Sequence, residues 1–255
     1  MKIRILGCSG GIGGRHQRTT SIIVDHDILI DAGTGVADLQ IADLVQIDHV
    51  FITHSHLDHV ACLPFIVDTV GDMRSRPLTV HATAEAIEIL QSHIFNWAIW
   101  PDFSEIPTLQ SPVLRFETLK VGEHVKLGDR TITALPANHT VPAVGYSLSS
   151  RNGTLVFSGD TTACPELWAE VNRIHDLRYL IIECAFSNRE RRLAEMSKHL
   201  CPSMLAEELT HLQLDVEVYI THLKPGQIEL TMLEVEDSIG EMKPRMLQIN
   251  QVFDL

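Results

Sequence analysis

Positive charge is scarce in this sequence. Against 33 Asp and Glu it carries 20 Lys and Arg, a formal net charge of −13. A surface of that sign repels a long polyanion, which argues against stable nucleic-acid binding. A small anionic substrate stays open, because a bound cation supplies positive charge locally. Paired cysteines are missing too. The five stand at 8, 62, 164, 184 and 201 with no CxxC spacing, and read as reduced thiols of a reducing compartment. No run of about 18 apolar residues is present, so no membrane span is expected. The apolar part of Met1–Cys8 is too short for a signal peptide. A soluble, cytoplasmic protein is the expectation. Internal repeats and low-complexity linkers are absent as well. The 255 residues, 45% hydrophobic and 21% charged, are therefore expected to form one domain over 1–255.

Short β-branched runs alternate with turn residues along the chain. Strands are expected at Lys2–Leu6, Ser21–Val24, Asp27–Ile30, Val50–Thr53, Leu78–Val80, Val113–Leu119, His124–Leu127 and Arg130–Leu135. Further strands are expected at Val144–Ser149, Thr154–Ser158, Tyr179–Glu183 and Glu217–Thr221, with helices at Val36–Leu44, Ala84 to about Trp97 and Pro202–Leu212. Strands come first, then strands and helices alternate, and the pattern occurs twice. That order predicts two sheets packed face to face with helices outside, an α/β architecture. The glycine run from Gly7 to Gly14 leads into another strand rather than a helix. It therefore reads as a tight loop bordering an active site, not as a dinucleotide fingerprint.

Histidine is abundant, at 14. Thr53-His54-Ser55-His56-Leu57-Asp58-His59 packs four metal-type side chains into six residues after an apolar strand. Residues two apart on extended chain point the same way, so His54 and His56 can converge on one cation. Asp58 and His59 can turn to a second. Asn138-His139, Gly159-Asp160 and Thr221-His222 repeat the same grammar of apolar strand followed by ligand. One cation would take His54, His56 and His139, the other Asp58, His59 and His222, with Asp160 bridging. Imidazole with carboxylate suits zinc, and leaves iron and manganese open.

HSHLDH, NHT, SGDT and THL, in this order and spacing, resemble the metallo-β-lactamase superfamily from Leu6 to about Pro225. The resemblance implies an αββα sandwich, two mixed sheets with helices outside and two divalent metal ions at one edge. Asp160 points to the phosphodiesterase-type branch. Within it, Asp31-Ala32-Gly33-Thr34-Gly35, His54–Pro64, Phe95–Phe103 and His199-Leu200-Cys201-Pro202 are similar to the class II cyclic-nucleotide phosphodiesterases. Cys201 replaces that family's Thr. The activity implied is hydrolysis of 3′,5′-cyclic nucleotides, cAMP or cGMP, to 5′-monophosphates by metal-activated water. A homodimer is implied as well. A tRNase Z-like endoribonuclease or another dinuclear-metal phosphodiesterase stays open, although no basic or glycine-rich tRNA arm is found. Asp58 would orient the water. Glu183 would charge His199, which would act as general acid. The alternatives for these two are a strand-end surface carboxylate and a helix-start histidine. Trp97, Trp100 and Phe103 either stack on the base or make core or dimer contacts. Asn96 either bonds the base or caps its own chain. Thr161 either touches phosphate or shapes a turn.

Overall fold

In the computed structural model, which describes residues 1–14 and 16–255, two seven-stranded sheets face each other. The strands in chain order are β1 (Lys2–Gly7), β2 (Ser21–Val24), β3 (Ile28–Ile30), β4 (His49–Phe51), β5 (Leu78–Ala82), β6 (Pro107–Thr108), β7 (Ser111–Pro112) and β8 (Leu114–Thr118). They continue as β9 (His124–Leu127), β10 (Arg130–Pro136), β11 (Val144–Ser150), β12 (Gly153–Phe157), β13 (Leu177–Glu183), β14 (Glu217–Thr221), β15 (Arg245–Met246) and β16 (Val252–Asp254). The first sheet runs β16-β1-β2-β3-β4-β5-β8, the second β15-β14-β13-β12-β11-β10-β9, and β6-β7 form a small hairpin apart. Each large sheet is antiparallel in one half and parallel in the other. The parallel halves are β3-β4-β5-β8 and β12-β13-β14-β15.

The helices are α1 (Ile41–Leu44), α2 (Leu57–Val60), α3 (Leu63–Val70), α4 (Ala84–His93), α5 (Pro165–Val171), α6 (Arg191–Ser197), α7 (Pro202–Leu209) and α8 (Ile228–Ile239). The central strands read as unbroken apolar runs because both of their faces are buried. In β3, Ile28 and Ile30 enter the core between the sheets, while Leu29 turns to the outer layer. In β12, Leu155 and Phe157 point inward and Val156 outward. The outer core of the first sheet is completed by Val60, Leu63, Val67 and Leu90 from the helices. That of the second is completed by Leu167, Leu205 and Val235. The result is the expected αββα order of layers. Tyr146 locks the two sheets together, its buried hydroxyl donating to the Ile52 carbonyl at 2.8 Å.

Three expected helices are shorter than the sequence pattern. Val36–Leu44 divides into a 3-10 turn at Thr34–Asp38 and the single turn α1, because Leu39 and Gln40 are extended. The helix begun at Ala84 stops at His93. There the Asn96 side chain takes the amide protons of Ala98 and Ile99 into a turn of its own. The helix at Pro202 stops at Leu209, where Asn172 takes over the next turn. Its amide donates to the His211 carbonyl and its carbonyl accepts from the Gln213 amide. Helices α2, α3, α5, α6 and α8 had not been expected. Among the described residues no helix is long and apolar enough to cross a membrane.

Candidate metal centre

Most of the functional side chains predicted from sequence leave the C-terminal end of a strand, while His199 lies between α6 and α7. His54 and His56 follow β4, His139 follows β10, Asp160 follows β12, Glu183 ends β13 and His222 follows β14. Because the parallel strands of each sheet share a direction, these ends gather along one edge of the sandwich. Asp58 and His59 belong to the one-turn helix α2, whose first residue follows directly on His56.

Two neighbouring clusters result, and a third, overlapping group joins His139 and Asp160 to His199. In the first, atoms of His54, His56 and His139 lie within 4.8 Å of one another, and in the second those of Asp58, His59, Asp160 and His222 do. His139 Nε2 stands 3.1 Å from His56 Nδ1. Asp160 lies between the clusters. Its Oδ2 is 3.7 Å from His54 Nε2 and 3.3 Å from His59 Nε2, and its Oδ1 is 3.3 Å from His222 Nδ1. Asp58 Oδ2 is 3.9 Å from His59 Nε2 and 3.7 Å from His222 Nε2. Apart from the His139–His56 contact, these separations exceed most hydrogen-bond lengths. Accordingly His54 Nε2, His59 Nε2 and both ring nitrogens of His222 are buried without a hydrogen-bond partner. Buried polar atoms without partners are costly. Their convergence is what a site for two cations requires, and the donor set of imidazole and carboxylate suits divalent metals.

Electrostatics supports the same reading. Burial pushes His54 and His56 below the ordinary histidine value, His139 to about 4 and His222 to about 3. These rings are therefore neutral at pH 7, with lone pairs free for a metal. His59 differs. Burial lowers it, but carboxylates on both of its nitrogens, Asp160 and Asp31, hold it well above the usual value. Asp160 is the counterpart: burial raises it, and the surrounding His222 and His59 hold it well below the carboxylate range.

A second layer fixes these rings. Asp31, fully buried, accepts from His59 Nδ1 at 2.7 Å and from the Thr53 amide and hydroxyl at 2.8 Å each. Sequence reasoning gave Asp31 no role in the site. Its signal was its place directly after β3, at a strand end like the ligands. Gly33 brings the Asp31–Gly35 stretch against α2, since a Cβ there would lie 2.3 Å from the Asp58 carbonyl oxygen. The glycine loop borders the site as expected. The His222 amide donates to the Cys8 carbonyl at 2.9 Å, and a Cβ on Gly10 would lie 2.4 Å from the His222 carbonyl oxygen. His222 itself has φ of 62°.

Beyond the clusters, Glu183 is fully buried and accepts three hydrogen bonds. They come from His199 Nδ1 at 2.7 Å, the Thr161 amide at 3.0 Å and the Leu200 amide at 3.2 Å. It is therefore not the surface carboxylate of the alternative reading. Burial favours neutral His199, but the Glu183 carboxylate holds its imidazole above the ordinary value. The ring of His199 lies 4.9 Å from that of His139 and 5.1 Å from that of His222. Thr161 is buried, and its hydroxyl is occupied in shaping the loop, donating to the Thr162 carbonyl and accepting from the Asn138 amide. Asn96 caps its own segment. Phe103 is part of the core of the first sheet, and Trp100 packs on Phe65 at 5.4 Å. For Asn96, Phe103 and Thr161 the structure thus favours the alternative, structural reading.

The Beta-lactamase superfamily domain family matches residues 26–228 of the chain. A probable 3′,5′-cyclic-nucleotide phosphodiesterase of Yersinia pestis is 27% identical over 206 residues, 71% of this chain and 58% of its own length. A ribonuclease Z of Clostridium beijerinckii is 29% identical over 154 residues, 56% of this chain and 47% of its own length. The chain thus spans about half the length of these two relatives. Among solved structures, unliganded yeast PDE1 superposes with a TM-score of 0.83 at 18% identity, covering 100% of this chain and 99% of that one.

Proposed function

Since the chain belongs to the Beta-lactamase superfamily domain family, we propose that it hydrolyses phosphodiesters with two divalent cations, its substrates being 3′,5′-cyclic nucleotides. The observation that carries the reading is Asp160, one buried carboxylate facing ligand nitrogens of both clusters. His54, His56 and His139 would hold one ion, Asp58, His59 and His222 the other, and Asp160 both. When bound, the pair neutralises phosphate charge and acidifies water, the chemistry that dinuclear sites bring to phosphate esters. Zinc fits the donor set, and the relatives named as cyclic-nucleotide phosphodiesterases support the substrate.

The chain's own residues complete the reaction. Asp58, whose side chain is 27% exposed where Asp160 is buried, orients the attacking water. His199, fixed through Nδ1 by Glu183, keeps Nε2 for the leaving 3′ oxygen and delivers its proton there. Glu183 stabilises the charged ring before transfer and sets its orientation. We extend the same reading to one unit over residues 1–255, cytoplasmic and homodimeric, with the exposed apolar Trp97 and Ile99 available to a second copy.

The ribonuclease Z relatives carry a second reading, in which the same site cleaves RNA. Turnover of cAMP, cGMP, bis(p-nitrophenyl) phosphate and a pre-tRNA by metal-loaded protein separates the two. The proposal expects both the artificial ester and at least one cyclic nucleotide to be cleaved, with the pre-tRNA intact. Cleavage of the ester without either cyclic nucleotide overturns the substrate assignment. Pre-tRNA cleavage replaces it with the second reading.

A further inference from the structure

Lys198 ends helix α6 in the left-handed region, at φ 52° and ψ 50°. A residue with a full side chain keeps that conformation only where its surroundings over-determine it. Here they do. The Lys198 carbonyl accepts from His139 Nδ1 at 3.0 Å, while its ammonium donates to Asn138 Oδ1 at 3.1 Å and to the His139 carbonyl at 3.0 Å. Backbone and side chain of one residue thus grip the same dipeptide from two directions. The bond to Nδ1 places the proton there and leaves the lone pair on Nε2, the nitrogen 3.1 Å from His56 Nδ1 inside the first cluster.

The grip also closes a ring. From Lys198 the chain passes to His199, whose Nδ1 donates to Glu183 Oε1. Glu183 Oε1 also accepts from the Thr161 amide, and Thr161 Oγ1 accepts from the Asn138 amide at 3.0 Å. The Lys198 ammonium on Asn138 completes the circuit. Three loops, those carrying His139, Asp160 and His199, are thereby tied together. Lys198 and Glu183 are the charged side chains that tie them.

We infer that Lys198 is a positioning residue for the metal centre: its ammonium clasps the 138–139 loop against the 198–199 turn, so that His139 presents Nε2 to the cation. This rests on the reading of His54, His56 and His139 as one ligand set, and not on any choice of substrate. It also distinguishes itself from a purely structural role. Glycine at 198 relieves the left-handed backbone and keeps the carbonyl, removing only the clasp.

The test is zinc affinity, measured by chelator competition, on wild type, Lys198→Gly and Lys198→Arg. One of the two ions should bind about 10–100-fold more weakly in Lys198→Gly, the usual loss when an outer partner of a metal ligand is removed. Lys198→Arg, which restores a cationic donor, should recover most of that loss. Affinity in Lys198→Gly within about threefold of wild type overturns the inference, as does Lys198→Arg binding no better than Lys198→Gly. Should Lys198→Gly fail to fold, Lys198→Met against Lys198→Arg makes the same comparison with the backbone conformation unrelieved. Wild-type protein that takes up neither zinc nor manganese nor iron refutes the ligand set itself, a result separable from unchanged affinity in the variants.

Discussion

His199 and His59 each have a carboxylate on Nδ1 at 2.7 Å. The Nε2 of His59 faces Asp58 and Asp160 within the second cluster, whereas the ring of His199 lies beside both clusters, 4.9 Å from that of His139. A general acid in this position predicts a particular failure. Lys198 keeps His139 in place through its own bonds, so His199→Ala should retain both metals and the fold. Its turnover of cAMP should fall by roughly a hundred- to ten-thousand-fold, the contribution of a positioned acid. On bis(p-nitrophenyl) phosphate the loss should shrink, because the nitrophenolate departs as a stable anion and gains little from a proton. Rates of wild type and variant on the two substrates give the ratio. Equal losses on both, or a variant depleted of metal, would move His199 to a structural or ligand role. Asp31 belongs to the same scale. The candidate ligands were legible because HxHxDH has few other uses. Asp31 was not, because a lone Asp before Ala-Gly resembles any turn until its 2.7 Å bond to His59 is seen.

At the scale of elements, loops and the single turn α2 hold the candidate ligands, and strands aim them. The Gly7–Gly14 loop is the clearest instance. Cys8 accepts from the His222 amide, the Gly10 amide donates to the Leu223 carbonyl, and the Lys224 ammonium reaches Gly10 in return at 2.6 Å. Gly10→Ala would set a Cβ 2.4 Å from the His222 carbonyl oxygen, against backbone that cannot rotate away. The expected cost is about 1–3 kcal/mol of stability, typical of overpacking. The Asp58, His59 and His222 set should weaken for zinc while the His54, His56 and His139 set is spared. Calorimetric titration reads the two sites apart, and a variant with both sites and its melting temperature unchanged would separate the loop from the metal centre. Strand β12 was legible in sequence because both of its faces are buried, which leaves the apolar run Leu155-Val156-Phe157, and β10 because Thr131 and Thr133 alternate with buried Ile132 and Ala134. The helices α2, α3 and α6 were not. Helix α2 is a single turn laid over the ligand motif itself, so its residues carry metal chemistry instead of helical periodicity. Helix α6 exposes Leu193 and Met196 and buries Ala194, the reverse of an amphipathic pattern. Overlong expectations at Ala84 and Pro202 have a shared cause. Apolar periodicity continued past the true ends, and the side chains of Asn96 and Asn172 captured the backbone first.

Across the whole molecule, the two parallel half-sheets carry their C-terminal ends to one edge, and the αββα layers bury the central strands. Charge is distributed against long anions. Of the few cations, Arg18, Arg74, Arg76, Arg130, Arg173, Arg191 and Arg245 are already within 4.0 Å of carboxylates. Lys198 and Lys224 are engaged with backbone carbonyls. A polynucleotide gains affinity by releasing counterions, about one per phosphate neutralised, so a surface on which acidic residues outnumber basic ones 33 to 20 gains little. A cyclic nucleotide needs one phosphate neutralised, which two cations at the strand ends would do without help from the surface. The two readings of the site therefore separate by ionic strength. Binding of tRNA, followed by fluorescence anisotropy, should be weak at about 50 mM salt and lost by about 200 mM, while the KM for cAMP changes little across the same range. Tight tRNA binding that persists at the higher salt would mean that the protein presents a cationic track despite its net charge of −13, and the balance would pass to the endoribonuclease.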